Sequence, residues 1–113
     1  MPDITSWLNH EFDTSTSKTP EFLAFARDFE KFLKNDVVEI DLSVSHFYLF
    51  GFARNITTGK FAYFTIPDVR FFDDYWFLNI LYRTAQNSKD YRGGVNQYCQ
   101  LPDLVANLVR ITS

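Results

Sequence analysis

Few residues in this chain have the type and spacing that covalent or metal chemistry requires. The histidines are His10 and His46, with no His-x-x-x-His or comparable ligand spacing. Cys99 is the single cysteine, so no internal disulfide forms and a zinc site would lack a thiolate pair. Cys99 with His46 would make a nucleophile and its base, but neither carries a local signature of that chemistry. A lone cysteine reads better as a small buried hydrophobe. Asp73 and Asp74 are adjacent, so in a strand their carboxylates point to opposite faces and cannot share a metal or substrate. Pro67-Asp68 is followed by no acid-x-Lys pair, and Gly93-Gly94 lacks the rest of a phosphate-loop or dinucleotide fingerprint. These residues define no catalytic constellation, no metal site and no cofactor site, and the chain reads as a non-enzyme.

Recognition chemistry is a different matter. Gln86–Gln100 reads as a long polar loop, and the stretch Arg83–Tyr98 combines cations, tyrosines, amide side chains and a flexible diglycine. Loops of that length within a compact domain are often functional. The candidate binding residues are Arg83, Lys89, Tyr91, Arg92, Asn96, Gln97 and Tyr98. Backbone N–H groups at Gly93 and Gly94, beside Lys89 and Arg92, could cradle an anion. The competing reading is that the two glycines only close a tight turn.

Thr84-Ala85, Lys89-Asp90-Tyr91, Gly93-Gly94 and Asn96-Gln97, together with Thr19-Pro20-Glu21-Phe22, carry a resemblance. In these short patches the chain resembles small proteins of bacterial plasmids and phages that have no assigned mechanism. The resemblance implies a mobile-element accessory protein, one that counters host defence, and it transfers no active site.

The 113 residues suit a single domain, 1–113, and 46% hydrophobic content is enough for a continuous core. Aromatic residues make up 19%, and Phe alone accounts for 13 positions. Rings serve both cores and interfaces, so composition alone does not separate the two uses. The net charge of -3 argues against a polyanion binder of the whole-molecule kind. The charge is uneven: residues 1–45 hold nine acids against four bases, and residues 46–113 hold five acids against seven bases. There is no basic, apolar leader at the N-terminus, and the apolar runs Phe47–Ala53 and Tyr75–Leu81 are too short to cross a bilayer. The expectation is a soluble, cytoplasmic protein without membrane contact, in which the glycosylation-type match Asn55-Ile56-Thr57 has no meaning.

The elements that position these residues follow from periodicity. A first helix capped by Asp3 has Ile4, Trp7, Leu8 and Phe12 on one stripe. A second begins at Thr19-Pro20, and Phe22, Phe25, Ala26, Phe29, Phe32 and Leu33 keep helical spacing, a stripe that reads as a core face. Asn35 suits the helix stop. The period then changes to two: Val38, Ile40 and Leu42 alternate with Glu39, Asp41 and Ser43, as in an edge strand whose charges discourage further pairing. Strands over Phe47–Ala53 and Lys60–Ile66 flank a turn at Asn55–Gly59, and Val69–Phe72 pairs briefly. Tyr75–Arg83 reads as the last long strand, with a helix capped at Asp74 as its rival. Leu101, Leu104, Val105 and Leu108 mark a short C-terminal helix opened by Pro102 and Asp103. The fold class is α+β: two N-terminal helices, an antiparallel sheet of about four strands, and a short C-terminal helix.

The central strands are apolar on both faces, so both faces must be covered. The N-terminal helix pair covers one. The other falls to the C-terminal helix, a protein partner or a second copy in a homodimer. The favoured function is therefore a non-catalytic protein that acts through protein–protein contact. The alternative is a nucleic-acid-binding module in which Arg54, Lys60, Arg70, Arg83, Lys89 and Arg92 interleave with Tyr63, Tyr82 and Tyr91. A small enzyme ranks third.

Overall fold

The computed structural model describes residues 7, 20–45, 48–66 and 79–113. Within them the chain is α+β, in the order α1 (Pro20–Leu33), β1 (Val38–Ser45), β2 (Tyr48–Asn55), β3 (Phe61–Thr65), β4 (Ile80–Ala85), β5 (Gln97–Cys99), a 3-10 turn (Leu101–Asp103) and α2 (Leu104–Ile111). The expected first helix, apart from Trp7, lies outside the described residues. So do His10, His46, Pro67-Asp68, the Val69–Phe72 pairing and Asp73-Asp74.

The phenylalanine stripe of α1 is core, as its spacing predicts: Phe22, Phe25, Ala26, Phe29 and Leu33 are all buried. Trp7 stacks on Phe25 with ring centroids 5.4 Å apart, and its indole N–H donates to Asp28 at 2.9 Å. Asn35 ends the helix through its side chain. Its Nδ2 donates to the Leu33 carbonyl at 2.9 Å, and its Oδ1 accepts from Val37 and Val38 N–H at 2.8 and 2.9 Å. One amide thus closes the helix and starts β1.

The sheet is an antiparallel meander with strand order β1-β2-β3-β4-β5. β1 is an edge, as the alternation suggested. The β2–β3 turn is held by Asn55, whose Oδ1 accepts from Thr57 and Thr58 N–H at 2.9 and 3.1 Å. Gly59 completes it at φ 73°, a left-handed conformation that L side chains disfavour. Asn55 is buried and donates to Thr112 Oγ1 at 3.3 Å, so it serves the turn and the C-terminus.

Three expectations change. The sheet has five strands among the described residues rather than about four, because Gln97–Cys99, expected as loop, pairs with β4 (Tyr82 opposite Gln97, Ile80 opposite Cys99). A three-residue strand gives too little periodicity to be read from sequence. The last long strand starts at Ile80 and runs on to Ala85, and 67–78 lie outside the described residues. Finally, α1 and α2 cover the same face. Phe22, Phe25, Phe29 and Leu33 share one core with Leu104 and Leu108, over Leu49, Ala53, Ala62, Phe64, Ile80 and Tyr82.

Within the sheet, Gly51 leaves room for the Phe64 ring. A Cβ on Gly51 would lie 2.6 Å from the Asp41 carbonyl oxygen and 2.8 Å from the Phe64 ring. Burying a large apolar side chain there contributes about 1.5–3 kcal/mol.

Candidate binding surface

Strand alternation sends the other half of the side chains to the outer face. The pairing places Tyr48, Phe50, Phe52 and Arg54 of β2 there, beside Phe61, Tyr63 and Thr65 of β3. Leu81 and Arg83 of β4 extend the face, and Glu39, Asp41 and Ser43 of β1 form its acidic margin. Tyr98 pairs with Leu81 and closes the far side, 60% exposed. The rings contact one another: Phe52 meets Tyr63 edge-on at 5.3 Å, and Tyr48 lies 5.9 Å from Phe50.

The segment 86–96 folds back over this face. Tyr91 stands on three rings, Phe52 at 5.4 Å, Tyr63 at 6.1 Å and Phe50 at 6.2 Å, each edge to face. Such pairs are worth about 0.5–1.5 kcal/mol each beyond area burial. Even so, 58% of Tyr91 remains exposed.

Arg83 and Asp90 organise the loop. Arg83 is only 3% exposed, and its guanidinium lies 4.4 Å from the centroid of the Tyr63 ring. Its Nη2 donates to the Asp90 carbonyl at 2.7 Å and its Nη1 to the Thr84 carbonyl at 3.1 Å. A buried guanidinium is thereby paired with a π face and two carbonyl dipoles. Asp90 accepts from Gly93 N–H at 2.7 Å, Gln86 N–H at 2.9 Å and Arg92 N–H at 3.1 Å. Those amides, Gln86 first, favour the carboxylate and lower its pKa from the ordinary 3.8. The Gly93 amide therefore holds the chain's own anion. Gly94 has φ 76°, and a Cβ on it would sit 2.5 Å from the Thr84 carbonyl oxygen. Burial raises the pKa of Tyr63, against the lowering effects of the Thr65 hydroxyl and Arg83.

The sequence candidates separate by location. Arg83 and Tyr91 come together on the outer face, and Lys89, Arg92 and Asn96 lie exposed on the loop. Gln97 points to the opposite face, 3.2 Å from the Tyr82 hydroxyl and 3.4 Å from Arg110 Nη2. Arg110 Nη2 also donates to the Tyr82 hydroxyl at 2.9 Å. Phe50 and Phe52 were not among the candidates, and Tyr63 entered only with the nucleic-acid alternative. Their signal was the two-sided apolar strands, which marked a face needing cover without saying which side stayed open.

Cys99 is half-buried, and its thiol is pushed up to about 11, by burial first and by Asp103 second. It stays protonated at neutral pH, which suits packing and not nucleophilic attack. Among the described residues there is no cluster of three metal-ligating side chains, and no helix long and apolar enough to cross a membrane. Comparison with family models, curated proteins and solved structures gives no match.

Proposed function

We propose that this is a non-catalytic binding protein that acts through protein–protein contact, with the outer sheet face and the 86–96 loop as its surface. Tyr91 carries the reading: an aromatic side chain 58% exposed, yet held by Phe50, Phe52 and Tyr63 on a loop pinned by Asp90 and Arg83. A rigid ring with a polar tip loses little entropy on binding, and aromatic anchors dominate interface energetics. Lys89, Arg92, Glu39 and Asp41 supply a rim of both signs. The resemblance to plasmid and phage proteins favours an accessory protein that inhibits a host defence component in the cytoplasm. A second copy is the other protein that fits such a face.

Nucleic acid suits the surface less well. Arg83 is buried and bonded to carbonyls, Arg54 lies 3.5 Å from Glu39, and Glu39 and Asp41 would face the phosphates.

The test is capture from the native host, with the captured material examined for protein and for nucleic acid. Arg92→Ala combined with Asn96→Ala is expected to abolish capture of the protein partner while changing stability by less than about 0.5 kcal/mol. A double variant that captures normally removes the loop from the surface. Tight single-strand binding at physiological salt, with a steep salt slope, would favour the nucleic-acid reading instead.

A further inference from the structure

The edge strand β1 lends its acids to the margin of the aromatic face, while its free edge has a pairing capacity of its own. Its bonding phase is set by the Ile56 N–H, which donates to the Val37 carbonyl at 3.0 Å, and by the register Val38 opposite Asn55. Glu39, Asp41 and Ser43 therefore bond to β2, and Val38, Ile40, Leu42 and Val44 direct N–H and C=O away from the sheet. Asn35 Oδ1 takes the Val38 N–H, so among the described residues the open groups are those of Ile40, Leu42 and Val44.

Natural edges are blunted by proline, bulges, charged side chains, inward-pointing charges, short length or a covering element, and of these β1 carries the outward charges Glu39 and Asp41. β1 has eight residues, no proline, and a register without a bulge. Its inward residues, Val38, Ile40, Leu42 and Val44, are all apolar. Beside it runs a groove between the strand and α1. One section, of about 230 Å³, is lined by Leu23, Ala26, Arg27, Glu30, Leu42 and Val44. A second, of about 510 Å³, continues from Glu30 along Lys31, Lys34, Val38 and Ile40. Leu23 is 37% exposed at the first section.

We propose that this edge and groove take an extended segment of a partner protein as a sixth strand, with alternating apolar and basic side chains. Apolar positions of the added strand would lie over Leu23, Ala26, Leu42 and Val44. The alternate positions would face Glu39 and Asp41 at non-hydrogen-bonded pairs, where side chains approach most closely. Both acids are exposed; Glu39 already lies 3.5 Å from Arg54, so Asp41 is the stronger selector for Lys or Arg at the facing position. Charge also argues against a second copy as the occupant. The two-fold register that pairs the whole strand, Val38 with Val44 and Ile40 with Leu42, sets Asp41 against Asp41 of the copy. Recognition would follow the strand-addition mode, with backbone bonds giving affinity and alternate side chains giving specificity.

The probe is a capped eight-residue peptide of alternating valine and lysine. Its controls are a block-ordered peptide of the same composition and an alternating valine–glutamate peptide. Amide hydrogen exchange is read on the intact protein. The alternating lysine peptide is expected to slow exchange at Ile40, Leu42 and Val44 at least tenfold, and the controls are not. Glu39→Lys with Asp41→Lys should invert the preference toward the glutamate peptide. Protection elsewhere, equal protection by all three peptides, or no protection by any overturns the proposal. So does protection of the same amides that grows with protein concentration alone, because it would make a second copy the occupant. Tyr91→Ala leaves this edge untouched, so failure here is distinct from failure of the aromatic surface.

Discussion

The two faces of the sheet are both apolar, yet they are finished differently. On the inner face Gly51, Ala53 and Ala62 alternate with Leu49 and Phe64, and α1 and α2 seat fully buried side chains in the same core. On the outer face every central position is large: Phe50 and Phe52 on β2, Phe61 and Tyr63 on β3. No helix covers it among the described residues. One loop tyrosine, one buried arginine and one carboxylate do the covering instead. The open face is paved with large side chains, Phe50, Phe52, Phe61 and Tyr63, where the closed face has small ones at Gly51, Ala53 and Ala62. Side-chain size, more than hydrophobicity, distinguishes the two.

Stability measurements can break this comparison. Phe29→Ala, in the closed core, is expected to cost about 3–5 kcal/mol in urea unfolding. A loss below about 1 kcal/mol would mean that α1 is not part of the main core. Gly51→Ala comes next, at about 1–3 kcal/mol, because its Cβ meets the Asp41 backbone and the Phe64 ring. A neutral result would show that the inner face has slack. Tyr91→Ala should cost about 1 kcal/mol, since the ring is more than half exposed and loses three edge contacts. If it matched Phe29→Ala, the outer face would be a second core and not a contact surface.

The smallest effect is on pH. Asp90 has a folded pKa below its ordinary value, so its contribution is complete above the unfolded pKa and disappears as pH falls through the folded one. The amide resonances of Gln86, Arg92 and Gly93 should stay fixed from neutral pH down to the ordinary carboxylate range and move together below it. Movement near neutrality would mean that the loop is held by something other than this carboxylate.

How much of this was legible differs by element. Helix α1 was readable because its phenylalanine stripe, its proline at the first position and Asn35 all agree with 3.6-residue spacing. Strand β1 was readable because it alternates. The Asn55–Gly59 turn was readable as punctuation, although the docking of Asn55 onto Thr112 was not. For the candidate surface, the sequence isolated Tyr91 and its loop by residue type. It missed Phe50 and Phe52, and named Tyr63 only for the nucleic-acid alternative, because a strand apolar on both sides has no periodic signal to tell its faces apart. Gln97 resembled its loop neighbours in type, yet strand pairing turned it to the opposite face.

The sequence by itself therefore determined the elements whose side chains repeat at a regular spacing, along with the excess of rings and the lack of catalytic spacing. Local sterics and burial of one stripe act over a few residues, and a few residues are enough to show them. Tertiary structure alone decided that α1 and α2 share one face, that Asp90 fills the Gly93 amide, and that Arg83 is buried beneath the loop instead of displayed on it. The first rests on chain segments far apart in sequence, and the other two on strand register and on a loop path that no local period shows. A one-residue slip in register would turn every side chain to the other face.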